Sequence, residues 1–196
     1  MGTKIDVKSF FKKGVKSIKD DFLIALITGY QGSGKTYFAI YNAERIFTNR
    51  KIKTNIKTFE TTKNIVEYFD NIEDIYNDTD NNIIYIIDEV SKRYTKDCKQ
   101  DLKFYSWLQQ SRKHSRYVYL ITQEYIQVPT WLRGVANLVY TTSKIKFTNL
   151  YKTTLGRPVL DKDTMEWTTE TISSIIYKRT KDICSKYDTL ESINHL

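Results

Sequence analysis

The sequence predicts a three-layer α/β fold around a mostly parallel central sheet, and three observations carry that reading. Short, fully apolar runs such as FLIALIT, IIYII and YVYLIT are bounded by polar residues, as strands covered on both faces are. Segments with helical spacing separate those runs, the alternation expected of strand–helix–strand units. A glycine-rich turn joins the first apolar run directly to the first helical one.

In order along the chain, residues 22–28 form the first buried strand, and the helix after the glycine turn runs from Lys35 to about Phe47. KIKTNIK, from Lys51, is a second, shorter strand. Ile65, Phe69, Ile72 and Tyr76 recur at helical spacing and predict a helix. Residues 81–88 make the next buried strand, Leu102, Tyr105 and Leu108 mark a helix, and RYVYLITQ is the strand after it. PTWLRGVA reads as a short helix and NLVYTTSKIKF as a strand. Gly156 and Pro158 interrupt the segment after that strand, TMEWTTETISSIIYKR alternates like paired antiparallel strands, and a short helix comes after it. There is no internal repeat, low-complexity tract or linker, so residues 22–196 are read as one domain preceded by a basic arm or helix over 1–21.

Composition narrows the function classes. A chain of 196 residues with 40% hydrophobic content suffices for one core. No run approaches the roughly 18 uncharged apolar residues that a membrane span needs, and no signal-peptide pattern opens the chain. The two cysteines make neither a disulfide framework nor a metal site, which suits a reducing cytosol. The formal charge of +8 is unevenly spread: eight basic residues between Lys92 and Arg116 face Asp97 and Asp101, whereas seven acids between Glu60 and Asp80 face Lys63 alone. Opposed basic and acidic surfaces suit a polyanion on one side and a subunit or partner on the other. A lysine-, asparagine-, isoleucine- and tyrosine-rich composition is also what an AT-rich genome encodes.

The opening turn, GYQGSGKT, satisfies G-x-x-x-x-G-K-[ST], the phosphate-binding loop or Walker A pattern, between a strand and a helix. Glycines let backbone N–H groups wrap a phosphate, and the helix N-terminus adds partial positive charge. Gly29, Gln31, Gly32, Ser33, Gly34, Lys35 and Thr36 are therefore the expected ATP-binding residues, with Lys35 on the β- and γ-phosphates and the Thr36 hydroxyl on Mg²⁺. IIYIIDE supplies the Walker B half: Asp88 ends a buried strand, where open α/β sheets place ligand groups, and would hold Mg²⁺ through water. Glu89 stands where a carboxylate can act as a base on water, which favours hydrolysis over phosphoryl transfer to an acceptor. Gln123 ends the following strand, where its amide could touch the γ-phosphate or the attacking water.

This set resembles the P-loop ATPases with an added strand between the Walker A and Walker B strands, and within them the FtsK–HerA group. TNIK, IIDEV, SRKHSRYVYLITQ, VPTWLRGVANLVY and KYDTLE are similar to two phage families, the viral genome-packaging ATPases and the Zot-like assembly ATPases of filamentous phages. The resemblance covers residues 22–145 well and the rest loosely. It implies an oligomeric ATPase that moves phage DNA into a capsid, or alternatively a Zot-like assembly and extrusion ATPase; a nucleotide or small-molecule kinase is a third reading. Zot-like proteins usually carry a membrane-spanning segment, and this sequence shows none. The implied partners are DNA, bound without regard to sequence and double-stranded, and further subunits in a homo-oligomeric ring; the implied place is the host cytoplasm, with association to the virion. Ring ATPases of this class complete each site with an arginine from the neighbouring subunit, for which Arg112, Arg116 and Arg133 are the candidates. Residues 1–21 carry Val7, Phe11, Val15 and Ile18 at helical spacing among six lysines, a stripe suited either to a capsid vertex, virion membrane proteins or DNA, or to packing on its own domain.

Overall fold

The computed structural model describes residues 22–45 and 50–187. The arm expected over 1–21 and most of KYDTLE lie outside these residues.

Among the described residues the chain forms one eight-stranded sheet. Its strands are β1 (Leu23–Thr28), β2 (Lys51–Thr54), β3 (Val66–Tyr68), β4 (Ile83–Ile87), β5 (Tyr117–Ile121), β6 (Leu138–Lys144), β7 (Leu150–Leu160) and β8 (Trp167–Lys178), in the spatial order β3-β2-β4-β5-β1-β6-β7-β8. The first six run parallel, and β7 and β8 add antiparallel strands at one edge. The expected added strand is present: β5 lies between β1 and β4.

Strand alternation builds the layers. On β1, Leu23, Ala25 and Ile27 join one apolar cluster with Tyr37, Phe38 and Ile40 of α1 (Lys35–Arg45). Ile24 and Leu26 face the other cluster, with Phe104, Trp107 and Leu108 of α3 (Leu102–Gln109) and Leu132 of α4 (Thr130–Val135). Burial on both faces explains why β1, β4 and β5 read as unbroken apolar runs. Two short helices complete the set, α2 (Val90–Arg93) after β4 and α5 (Lys181–Cys184) after β8.

Two expectations change. The spacing of Ile65, Phe69, Ile72 and Tyr76 does not make a helix. Val66–Tyr68 pairs with β2 as an edge strand, and Ile72–Ile75 comes next as a single 3₁₀ turn whose Asn71 and Asp74 bond reciprocally. Phe69, Ile72 and Ile75 are buried while Ile65 is 71% exposed, so the apolar positions come from two different local geometries. Gly156 and Pro158 do not interrupt the chain either. They lie inside β7, where the register against β8 shifts between Leu155 and Gly156, and the TMEWTTETISSIIYKR stretch is a single strand pairing backwards onto β7.

Candidate active site

The sharp turn after β1 is built by its glycines. Gly29, Gly32 and Gly34 have φ of 144°, 74° and 96°, a region that side-chain-bearing residues rarely adopt. A methyl group on Gly29 would strike the Thr142 backbone oxygen and the Ser33 side chain, so the loop is pressed against β6. Ser33 Oγ lies 2.8 Å from Thr142 Oγ1, which also donates to the Thr28 carbonyl at 3.1 Å. On the other side, Gly29 N donates to the Gln123 carbonyl at 2.9 Å. The strands on either side of β1 thus grip the base of the loop.

Lys35 opens α1 and folds back, donating to Gly29 O at 2.8 Å and Tyr30 O at 3.2 Å. Burial holds its ammonium below the usual lysine range, partly offset by Asp88 and Glu89. Thr36 Oγ1 donates to Asp88 Oδ2 at 3.1 Å, joining the two motifs. Burial raises the Asp88 carboxyl, with the Thr36 hydroxyl and the Glu89 N–H opposing it and the Glu89 charge adding to it. Glu89 has φ of 54° and caps α2; its carboxylate pairs with Lys92. The ends of β1, β4 and β5 thereby bring residues 29–36, Asp88, Glu89 and the exposed Gln123 to one end of the sheet.

These donors fit a nucleotide with a hard divalent cation. The Thr36 hydroxyl and Asp88 carboxylate are oxygen ligands of the kind Mg²⁺ takes, and a Cβ-free cradle of backbone N–H groups suits phosphate. No cluster of three or more His, Cys, Asp or Glu side chains stands ready for a metal among the described residues, so a cation here would share its shell with water and phosphate.

The arginines divide. Arg116 is fully buried at the start of β5, the end of the sheet opposite the glycine loop. Its guanidinium donates to the carbonyls of Asp78 and, at 3.3 Å, Trp107, and lies 4.8 Å from the Trp107 ring centroid. Arg133 is 5% exposed; it reaches the Trp167 carbonyl at 3.4 Å and Thr130 Oγ1 at 3.3 Å, and lies over the Tyr125 ring. Both side chains are committed to their own chain, which corrects the expectation that either could enter a neighbour's site. Arg112 is exposed, at the same end of the sheet as Arg116.

Two further residues reach the site without being expected there. Asn55, just past β2, clamps Asp88 from both sides, donating to Asp88 O at 3.0 Å and accepting from Asp88 N at 2.8 Å. Arg179, just past β8, donates to Gly32 O at 2.9 Å, stacks 3.9 Å above the Tyr151 ring centroid, and stands where a Gly34 side chain would be. Asn55 sits within TNIK, whose only signal in the sequence is its resemblance to the phage families. Arg179 has no local signal at all.

A family model described as "Zot: Zonular occludens toxin (Zot)" matches residues 23–188. Among solved structures, the N-terminal domain of zonular occludens toxin from Neisseria meningitidis is similar at 19% identity and a TM-score of 0.62, over 86% of this chain and 99% of that one. The genome packaging NTPase B204 from Sulfolobus turreted icosahedral virus 2, in complex with ATP-gammaS, is similar at 15% identity and a TM-score of 0.53, over 77% and 98%. The RadB recombinase is similar at 12% identity and a TM-score of 0.54, over 86% and 94%. These likenesses show the fold. No curated protein matches the sequence. No helix among the described residues is long and apolar enough to cross a membrane.

Proposed function

This chain belongs to the zonular occludens toxin (Zot) family, and from that premise we propose that it is an ATP-hydrolysing motor that drives phage DNA during virion assembly. The observation that carries the reading is the Thr36–Asp88 hydrogen bond beneath the glycine loop, with Glu89 next in the chain. The loop amides hold the phosphates of ATP, and Lys35 leaves the carbonyls of Gly29 and Tyr30 to meet the β- and γ-phosphates. Thr36 and, through water, Asp88 are the residues that would hold Mg²⁺, which neutralises phosphate charge when bound. Asn55 keeps Asp88 in place. Glu89 exchanges its pairing with Lys92 for a water molecule and takes its proton, while Gln123 orients that water or senses the γ-phosphate. A base for water, with no acceptor site in the sequence, supports hydrolysis over a kinase.

The family match favours an assembly and extrusion motor over packaging into a preformed capsid, which is the second reading. Both need DNA, a ring of subunits, and a link to virion components that the arm over 1–21 could provide. The test is ATP turnover by the purified chain, followed as free phosphate, with and without Mg²⁺, duplex DNA and single-stranded DNA. Hydrolysis that needs Mg²⁺, rises with DNA and is abolished in Lys35→Ala is the expected result. Transfer of phosphate to a small acceptor without free phosphate would sink the motor reading. A major capsid gene of the double jelly-roll type beside this one would favour packaging over extrusion.

A further inference from the structure

The turn between β6 and β7 displays an aromatic ring that the fold does not use. Phe147 is 104% exposed at its apex, and its φ of 60° lies in the left-handed region, where a bulky residue is strained. The turn around it is tightly made. Ile145 N donates to Leu150 O at 2.9 Å, Thr148 N and Oγ1 both donate to Ile145 O at 3.2 and 2.9 Å, and Leu150 N donates to Thr148 Oγ1 at 3.1 Å. The backbone therefore holds the ring out in water. Hydrophobicity would bury it, and turn preference would put Gly or Asn at such a φ.

The charge around the ring has one sign. Lys144 and Lys146 flank it, Lys152 lies on β7, and the Leu150–Lys178 pairing brings Lys178 to the same end. No acidic residue occurs in sequence from Leu138 to Leu160, and none of the four lysines forms an ion pair among the described residues. A rigid aromatic within a lysine cluster matches single-stranded nucleic acid, where lysines follow the phosphates and the ring takes a base.

We propose that this turn is a single-stranded DNA contact in which Phe147 stacks on an unpaired base. The proposal rests on the DNA-motor reading above and specifies where the strand is held. The same strands run directly into the nucleotide site: Thr142 of β6 touches Ser33 and Thr28, and Arg179 at the end of β8 reaches Gly32. A change at the phosphates therefore has a route of a few residues to the turn.

The experiment measures binding of a fluorescently labelled oligothymidylate, and of a matching duplex, to the full chain by anisotropy across a salt series. Phe147→Asn removes the ring and suits the backbone, so the thermal midpoint should hold or rise while single-strand affinity falls about tenfold or more and duplex affinity changes little. Phe147→Trp should bind as the parent does. Lys146→Ala should reduce the slope of log affinity against log salt by about 0.7, one phosphate contact on a single strand. ATP turnover without DNA should be the same in all three variants. Unchanged single-strand affinity in Phe147→Asn, or equal losses on both DNA forms, would overturn the contact while leaving a DNA motor intact. A parent chain that binds no DNA at low salt, with turnover indifferent to it, would overturn both.

Discussion

Asp88 shows at one residue how a site can be a burden until its ligand arrives. Burial raises its carboxyl, so the folded chain holds that proton more tightly than the unfolded chain does. The resulting stability is fully present below the unfolded pKa and is lost as pH rises through the folded value. At neutral pH, without metal, the ionised form is therefore a cost. Asp88→Asn should raise the thermal midpoint of the metal-free protein by a few degrees, roughly 1 kcal/mol for a chain of this size, and abolish Mg²⁺-dependent turnover; calorimetry showing a lower midpoint would contradict this. Glu89, next in the chain, is the residue proposed to act as a base on water. Glu89→Gln should still bind ATP yet turn it over at least about a hundredfold more slowly, the usual scale for loss of a general base. Equal rates would remove Glu89 from the chemistry. For Arg179, whose guanidinium is held on Gly32 and Tyr151, Arg179→Ala should weaken ATP affinity about tenfold, within the range of a charge-assisted hydrogen bond. Arg179→Lys should not restore it, because an ammonium cannot both stack and reach. Nucleotide titration of the two variants checks this.

Among the elements, the start of β5 is where an expected functional group proves to be a fastening. Arg116 ties the Asp78 and Trp107 carbonyls beneath the sheet. Nearby, the Lys53 ammonium holds the Asp78 carboxylate below its ordinary range against the effect of burial, and Tyr85 donates to it at 2.8 Å. Arg116→Ala leaves those carbonyls without a donor and should cost about 3 kcal/mol of stability, while turnover per folded molecule stays close to the parent. A folded variant with turnover lost would restore Arg116 to the chemistry. The same division separates the legible elements from the hidden ones. β1, β4 and β5 are legible because burial on both faces makes each strand apolar throughout, and the glycine loop because its chemistry is contiguous from Gly29 to Thr36. The edge strand β3 is not, since its three residues borrow their order from β2 and the 3₁₀ turn behind them completes a false helical period. Arg116 and Arg133 mislead because charge in a sequence says nothing of burial. Asn55 and Arg179 reach the site through strand order alone.

For the whole molecule, the glycine loop, Asp88, Glu89 and Gln123 gather at one end of the sheet while Arg112 lies at the other, beyond reach of its own site. Among the arginines expected as fingers, Arg112 alone is exposed. If subunits share sites, Arg112→Ala should lower turnover about a thousandfold with ATP binding nearly intact. Mixing it with Glu89→Gln should then recover activity, since some interfaces pair an intact base with an intact finger. No recovery in oligomers shown to be mixed would refute sharing through Arg112. The contact between Arg179 and Gly32 also orders events in time. The two residues are 147 positions apart, so a ribosome adding about 5–20 residues per second takes about 7–30 s between them. For most of that interval the emerging chain owns a glycine loop without β6 against it, and throughout it the last arginine is missing. The full grip on nucleotide therefore comes only after β8 has been made, and a chain stopped before Arg179 has every residue of both Walker motifs yet lacks the side chain that secures the loop.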